Sequence, residues 1–174
     1  MWSDFDNILF TLDKFVFIAN FLLLAMALLF ERKVSSFVIA LIVLAVANGV
    51  MTALFPLIYQ YALQSGMLSK FLWYGSFATI DAIAVILLYK LHALLKQSVC
   101  SFSSMVGMLF VMMASLQSLR FVDRFIAGTD ILHAVYQYAI PAINISTVLY
   151  ALVFGIHDIY KRRSRLNAEP QLCH

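Results

Sequence analysis

The sequence predicts an all-α integral membrane protein built as a bundle of about five transmembrane helices. Hydrophobic residues make up 63% of the 174 residues and charged residues only 12%, and the mean hydropathy is +0.91. Soluble domains carry about 25% charged residues. The apolar residues gather in five runs long enough to span the hydrocarbon core, which takes about 20 residues. Glycine and proline are sparse, so no flexible linker divides the chain.

The five runs are interpreted as successive membrane spans. The first fourteen residues hold Asp4, Asp6 and Asp13 against one basic residue, Lys14. A cleaved signal peptide begins with basic residues, so the first run is read as an uncleaved span. The fourth run ends in SLRFVDRFIAG, and the alternative is four spans plus an interfacial helix there. Arg120, Asp123 and Arg124 are spaced to pair along one helix face. The predicted spans are Ile8 to Phe30, Val34 to Tyr61, Lys70 to Leu91, Phe102 to Phe121 and Ile131 to Ile156.

Basic residues predict the orientation of the chain. With the C-terminus inside, eight Lys and Arg residues fall on the inner side and four on the outer side. This bias follows the positive-inside rule, so the acidic N-terminus is expected outside and the C-terminus in the cytoplasm of a bacterial inner membrane. Aromatic residues near the outer boundary are typical of an interfacial belt. They are Tyr59, Tyr61, Trp73, Tyr74, Tyr136 and Tyr138.

The predicted organisation is one transmembrane helical domain, residues 1–160, followed by a short basic cytoplasmic tail, residues 161–174. No room remains for a soluble catalytic or nucleic-acid-binding domain, and direct nucleic-acid binding is not expected. The tail is expected to contact anionic lipid headgroups. A cytoplasmic protein partner would also bind most easily there. The basic tail residues are Lys161, Arg162, Arg163 and Arg165.

Four of the five predicted spans carry a strongly polar residue at their centre: Asn20, Asn48, Asp81 and Asn144. Polar side chains within spans usually face the interior of a bundle. In one interpretation the layer is structural, with a protonated Asp81 donating a hydrogen bond to Asn48 or Asn144. In the other it binds a proton, a cation or a small polar ligand, because an intramembrane acid usually serves a function.

Small residues flank this polar layer and predict close helix packing. Ala45, Gly49 and Ala53 lie beside Asn48, and Ala78 and Ala84 lie one turn either side of Asp81. Small residues let helix backbones approach closely in lipid. They therefore suggest a homo-oligomer or packing against the helices of a partner.

Sequence patterns of known catalytic and metal sites are missing, so no catalytic residue, metal site or cofactor is predicted. No second intramembrane acid is expected beside Asp81, which argues against a two-aspartate protease. His92 and His157 fall at the inner ends of their helices, and a haem held by this pair is a third hypothesis.

The leading hypothesis is therefore a non-enzymatic membrane subunit. It would anchor, sense or form a pore within an oligomeric or multi-component complex, such as a stress or antiviral defence assembly. The main alternative is a small proton- or cation-coupled transporter or channel that uses Asp81.

Overall fold

Five α-helices form the structure, a computed structural model that describes the backbone of residues 4–31, 34–64 and 66–168. Side chains are described for residues 11–31, 34–64, 66–158 and 160–161. All five helices are long and apolar enough to cross a membrane, and the described residues form no strand. The prediction of an all-α bundle of about five transmembrane helices is confirmed. The helices are α1 (Asp4–Glu31), α2 (Ser36–Ala62), α3 (Met67–Leu94), α4 (Ser101–Phe125) and α5 (His133–Ala168).

Short connections make consecutive helices run antiparallel, as in other helical bundles. The start of α1 therefore lies at the same end as the α2–α3 and α4–α5 loops, and we call this the N-terminal end. The α1–α2 and α3–α4 loops lie with the end of α5 at the C-terminal end. At that end Ser35 caps α2 by accepting a hydrogen bond from the Val38 amide at 3.3 Å.

The alternative of four spans plus an interfacial helix placed a separate helix at the end of the fourth run. The structure has no break there, because α4 continues to Phe125. The predicted pairing along its last turns is confirmed for Arg120 and Asp123, whose side chains meet at 2.8 Å. Arg124 instead places its guanidinium 5.6 Å from the centre of the Phe125 ring. Helix α5 runs beyond Ile156 and includes the basic residues up to Ala168. Of those basic side chains only Lys161 lies within the described residues, and it is exposed.

The tightest packing occupies the half of the bundle nearer the C-terminal end. Helix α2 contacts α1, α3 and α4, and its residues from Val38 to Leu41 are fully buried. The Phe102 ring of α4 packs edge to face against Phe37 of α2 and tilted against Phe154 of α5, with ring centres 4.9 and 5.5 Å apart. An apolar cavity of about 130 Å³ lies between α1 and α5 in this half, whereas the other half contains the polar cavity described below.

Gly49 allows α1 to approach α2 closely. A Cβ atom added at Gly49 would lie 3.0 Å from Cε2 of Phe17, which is closer than side-chain carbons normally pack. The predicted small-residue stripe therefore packs at this position against a helix of the same chain.

Gly49→Leu is expected to lower the stability of the bundle, because the larger side chain must displace Phe17. Overpacking of this kind costs about 1–3 kcal/mol. Thermal unfolding in detergent measures the effect. Gly75→Leu is the matched control, because a Cβ atom at Gly75 would make an ordinary contact of 3.7 Å with Phe71 of its own helix. Equal losses in both variants would contradict the close approach at Gly49.

Candidate functional site

The four polar residues of the predicted layer lie around two adjacent cavities inside the bundle. Asn48 and Asn144 line both cavities, Asn20 lines the smaller one and Asp81 lines the larger one. Asn20 and Asp81 are buried, with 0% and 1% of their surfaces exposed. Helices α1, α2, α3 and α5 each contribute one of these side chains. The structure therefore brings the four residues to one level of the bundle, where their side chains face its interior.

The larger cavity has a volume of about 120 Å³ and lies between the helices in the half nearer the N-terminal end. Its lining on α3 begins at Trp73 and ends at Asp81, a rise of about 12 Å along the helix axis. Asp81 thus lies at the inner end of a cavity that extends toward the N-terminal end. The lining residues are Asp13, Asn48, Met51, Thr52, Phe55, Trp73, Phe77, Asp81, Met113, Gln117, Tyr136, Gln137, Ile140, Pro141 and Asn144.

Asp81 makes no hydrogen bond with any residue that the structure describes. Both of its carboxylate oxygens are buried, and both lack a partner among those residues. The interpretation in which Asp81 donates to Asn48 or Asn144 is therefore wrong in this structure. Buried polar side chains are nearly always hydrogen-bonded, because desolvating them without a partner costs free energy. A carboxylate kept unpaired at a cavity wall is suited to binding a ligand from the cavity.

Asp13 of α1 is a second acid at the same cavity, and sequence reasoning missed it. Its side chain lines the cavity together with that of Asn144. The expectation that no second intramembrane acid accompanies Asp81 is therefore wrong. One signal could have found it: Asp13 and Asn20 are seven residues apart, a spacing that places both side chains on one helix face.

Aromatic rings form the wall between Asp81 and the N-terminal end. The Trp73 ring lies edge to face with the rings of Phe55 and Phe77, at centre distances of 5.4 and 5.1 Å. The Tyr136 hydroxyl donates to Oε1 of Gln117 at 2.8 Å. Trp73 and Tyr136 were expected in an interfacial belt, but both line the cavity. For Trp73 the sequence held a signal: Trp73, Phe77 and Asp81 follow each other at intervals of four residues, which places them on one side of α3.

The smaller cavity lies beside Asn20, on the side of the polar layer nearer the C-terminal end. Its volume of about 10 Å³ is about the space that one water molecule needs. Neither polar atom of the Asn20 side chain has a hydrogen-bond partner within the part of the chain that the structure describes. The polar layer thus continues from Asp81 to Asn20, with Asn48 and Asn144 between them.

A charged cluster closes the loop between α4 and α5 at the N-terminal end. Arg120 is 1% exposed, and its guanidinium donates to Asp123 at 2.8 Å, to Asp130 at 2.5 Å and to Nδ1 of His133 at 3.1 Å. Asp123 also accepts hydrogen bonds from the Thr129 hydroxyl and from the Leu132 amide. The hydrogen bond from Arg120 holds the pKa of Asp130 below its ordinary value. The cluster anchors the start of α5, one turn before Tyr136.

A neutral polar cluster joins α2, α3 and α4 at the C-terminal end. Nε2 of His92 lies 2.7 Å from Oγ of Ser36, and Nδ1 donates to the Leu88 carbonyl at 2.8 Å. Oγ of Ser36 also accepts from the Cys100 amide at 2.9 Å and contacts Oγ of Ser103. Both ring nitrogens of His92 are therefore occupied by protein atoms, which leaves neither free for haem iron. His157 is exposed, and the described residues contain no group of three metal-ligating side chains.

Ser36→Ala is expected to destabilise the bundle by about 1–3 kcal/mol, because it leaves buried polar groups of His92 and Cys100 without a partner. Ser115→Ala is the control, since Ser115 is exposed and bonds only to the carbonyl of Val111 one turn earlier. Chemical unfolding of the two variants in the same detergent measures the difference. Similar midpoints for both would contradict the structural role of the Ser36 cluster.

The remaining predicted packing residues differ in their surroundings. Ala45 and Ala84 are buried within the bundle, Ala78 is half-buried and Ala53 is exposed. The side chains of Arg162, Arg163 and Arg165 lie outside the described residues, although α5 includes their backbone. Lipid-facing apolar side chains are abundant on all five helices, such as Leu29, Leu57, Ile86, Met108 and Val153.

No protein family, curated protein or solved structure matches the chain. The assignment therefore rests on its own helices, five of which are long and apolar enough to span a membrane. The chain is a multi-pass membrane protein. Its exposed surface is apolar and its strongest polar groups face the interior, as a lipid environment requires.

Proposed function

We propose that this membrane protein binds a small cation in its larger cavity and carries it across the bilayer. The single observation that carries the proposal is the buried carboxylate of Asp81, which is unpaired among the described residues and lies at the cavity wall. Asp13 adds a second acid to the same wall. Two carboxylates at one cavity favour a positively charged ligand, because an opposite charge offsets the cost of burying them.

Two proline residues each remove one backbone hydrogen bond within a helix that borders the cavity. Pro56 in α2 and Pro141 in α5 lack the amide hydrogen that would bond to the carbonyl four residues earlier. Those carbonyls belong to Thr52 and Gln137, and both residues line the cavity. Carbonyl groups released in this way line ion and substrate sites in membrane transporters. The arrangement therefore supports a site for a cation.

The packing of the two halves supports transport rather than static binding. The cavity extends from Asp81 toward the N-terminal end, while the rings of Phe37, Phe102 and Phe154 pack together nearer the C-terminal end. A site that opens to one side would be one half of an alternating-access cycle. Pro141 lies in α5 where bending would open the second half, because proline weakens the helix there. The protein would act without catalysing a chemical reaction.

The distribution of basic residues predicts the side of the membrane toward which the cavity extends. With the N-terminal end outside and the C-terminal end in the cytoplasm of a bacterial inner membrane, the cavity extends toward the outer side. The role of a subunit in a larger complex and a homo-oligomeric state stay predictions from the sequence. A haem role for His92 and His157 is not carried forward, because both His92 nitrogens are hydrogen-bonded.

Flux in proteoliposomes tests the proposal. Purified protein is reconstituted under an imposed pH gradient with an internal pH-sensitive dye and monovalent cations outside. We expect cation- or proton-coupled movement that Asp81→Asn abolishes and that Asp158→Asn, at the opposite end of α5, leaves intact. No movement with the unmodified protein, or full movement with Asp81→Asn, would overturn the proposal.

A further inference from the structure

We infer that the cation is a small aliphatic ammonium ion, with its charge on Asp81 and its carbon atoms against the aromatic wall. The inference deepens the proposed function and rests on it. Phe55, Trp73 and Phe77 form this wall, and Phe77 precedes Asp81 by one helical turn. Three aromatic side chains thus share the cavity wall with a buried carboxylate, and Phe77 lies closer to it along α3 than Trp73 does.

Aromatic rings next to a carboxylate select organic ammonium ions. Their π-electrons attract the diffuse positive charge of an alkylated nitrogen, and the attraction is strongest in desolvated sites and with tryptophan. The ring centres of Phe55 and Phe77 lie 5.4 and 5.1 Å from that of Trp73, so the three rings form one continuous surface. The same surface accommodates alkyl groups through ordinary apolar contact.

The polar groups of the cavity are poorly arranged for a hard inorganic cation. Calcium takes six to eight oxygen ligands, and magnesium requires near-ideal octahedral geometry. Here Gln117 and Tyr136 are already paired with each other. Phe77 and Met113 line the cavity beside Asp81. The Asp81 carboxylate shares this part of the wall with apolar side chains, which matches one ammonium head better than a metal ion.

The volume of the cavity limits the ligand to a few heavy atoms. The cavity measures about 120 Å³, whereas an apolar cavity of about 150 Å³ in another protein accepts benzene. An ammonium ion that carries several methyl groups, or a short alkylamine, therefore fits. A larger polyamine or an aromatic amine does not fit without movement of the helices.

Isothermal titration calorimetry on the full chain in lipid nanodiscs tests the inference with tetramethylammonium chloride and sodium chloride at equal ionic strength. We expect saturable binding of tetramethylammonium that is at least about tenfold tighter than sodium binding. Asp81→Asn should abolish it, and Phe77→Leu should weaken it about tenfold. Tyr89→Leu, an exposed aromatic change on the same helix, should leave it unchanged.

The binding outcomes distinguish a failure of the ammonium inference from a failure of the proposed cation site. Sodium binding that depends on Asp81, without tetramethylammonium binding, would overturn the ammonium inference and leave the cation site standing. Tetramethylammonium binding that persists in Asp81→Asn would overturn the assignment of the charge to Asp81. An equal loss of tetramethylammonium affinity in Phe77→Leu and Tyr89→Leu would overturn the contribution of the aromatic wall. Phe55→Leu tests the same wall with a residue on another helix. Binding of neither cation, together with absent flux, would overturn both proposals.

Discussion

Asp81→Leu is expected to raise the unfolding temperature of the bundle while it abolishes cation transport. The substitution removes a buried carboxylate that has no hydrogen-bond partner among the described residues, and such groups cost about 1–3 kcal/mol. A leucine at that position gains contacts with Phe77 and Met113 at the cavity wall. Residues kept for function at the expense of stability behave in this way when they are replaced. Thermal unfolding and proteoliposome flux, measured on the same preparation, give the two readouts.

Leu88→Ala provides the comparison for stability, because Leu88 is buried on the same helix and its truncation must destabilise the core. If Asp81→Leu instead lowers the unfolding temperature as Leu88→Ala does, Asp81 holds the bundle together and its role as a ligand-binding carboxylate is contradicted.

Arg120→Met is expected to destabilise the bundle by about 1–3 kcal/mol, because the groups that Arg120 bonds to lose their donor. Arg120 is 1% exposed and donates to Asp123, Asp130 and His133. Removing its charge leaves the buried carboxylate of Asp123 without its cation, which is costly in a low-dielectric setting. Arg120→Lys should rescue little, because an ammonium group cannot reproduce the planar fork that bonds to several partners. Thermal unfolding in detergent measures both variants.

Arg124→Met is the matched control for Arg120→Met. Arg124 is exposed, and its guanidinium lies over the Phe125 ring, an exposed contact worth about 0.5–1 kcal/mol. Equal losses in the Arg120 and Arg124 variants would show that the network around Arg120 does not anchor the α4–α5 loop.

The helices and the polar layer could be predicted from the sequence, because both depend on the length of the apolar runs. A run of apolar residues has to match the thickness of the hydrocarbon core, and short loops force neighbouring spans to share one midplane. Asn20, Asn48, Asp81 and Asn144 therefore meet at one level, as the centres of their spans predicted. The pair Arg120 and Asp123 was likewise predictable, because a spacing of three residues brings side chains together on any helix.

The cavity and its aromatic wall were not predictable in the same way. In a membrane, apolar residues face both lipid and the bundle interior, so hydropathy leaves the rotation of each helix about its axis undetermined. Trp73 and Tyr136 accordingly looked like interfacial residues but line the cavity. Asp13 was read as part of an acidic N-terminus because it lies near the start of its span. The partners that Arg120 finds in Asp130 and His133 depend on the conformation of a loop.

The small-residue stripe illustrates the same limit. Gly49 and its neighbours predicted close helix packing, and the structure places Phe17 of α1 against Gly49. Sequence alone does not distinguish a helix of the same chain from a helix of a partner, because the packing requirement is identical in both cases.

Infrared difference spectroscopy of the Asp81 carboxyl group is the most direct test of the central claim, that this carboxylate is unpaired, reachable from the cavity and bound by a cation. Difference spectra are recorded in lipid as tetramethylammonium is added, and the bands that disappear in Asp81→Asn are assigned to Asp81. We expect the carboxyl bands of Asp81 to change saturably with tetramethylammonium. Bands of Asp81 that no cation changes would contradict the claim.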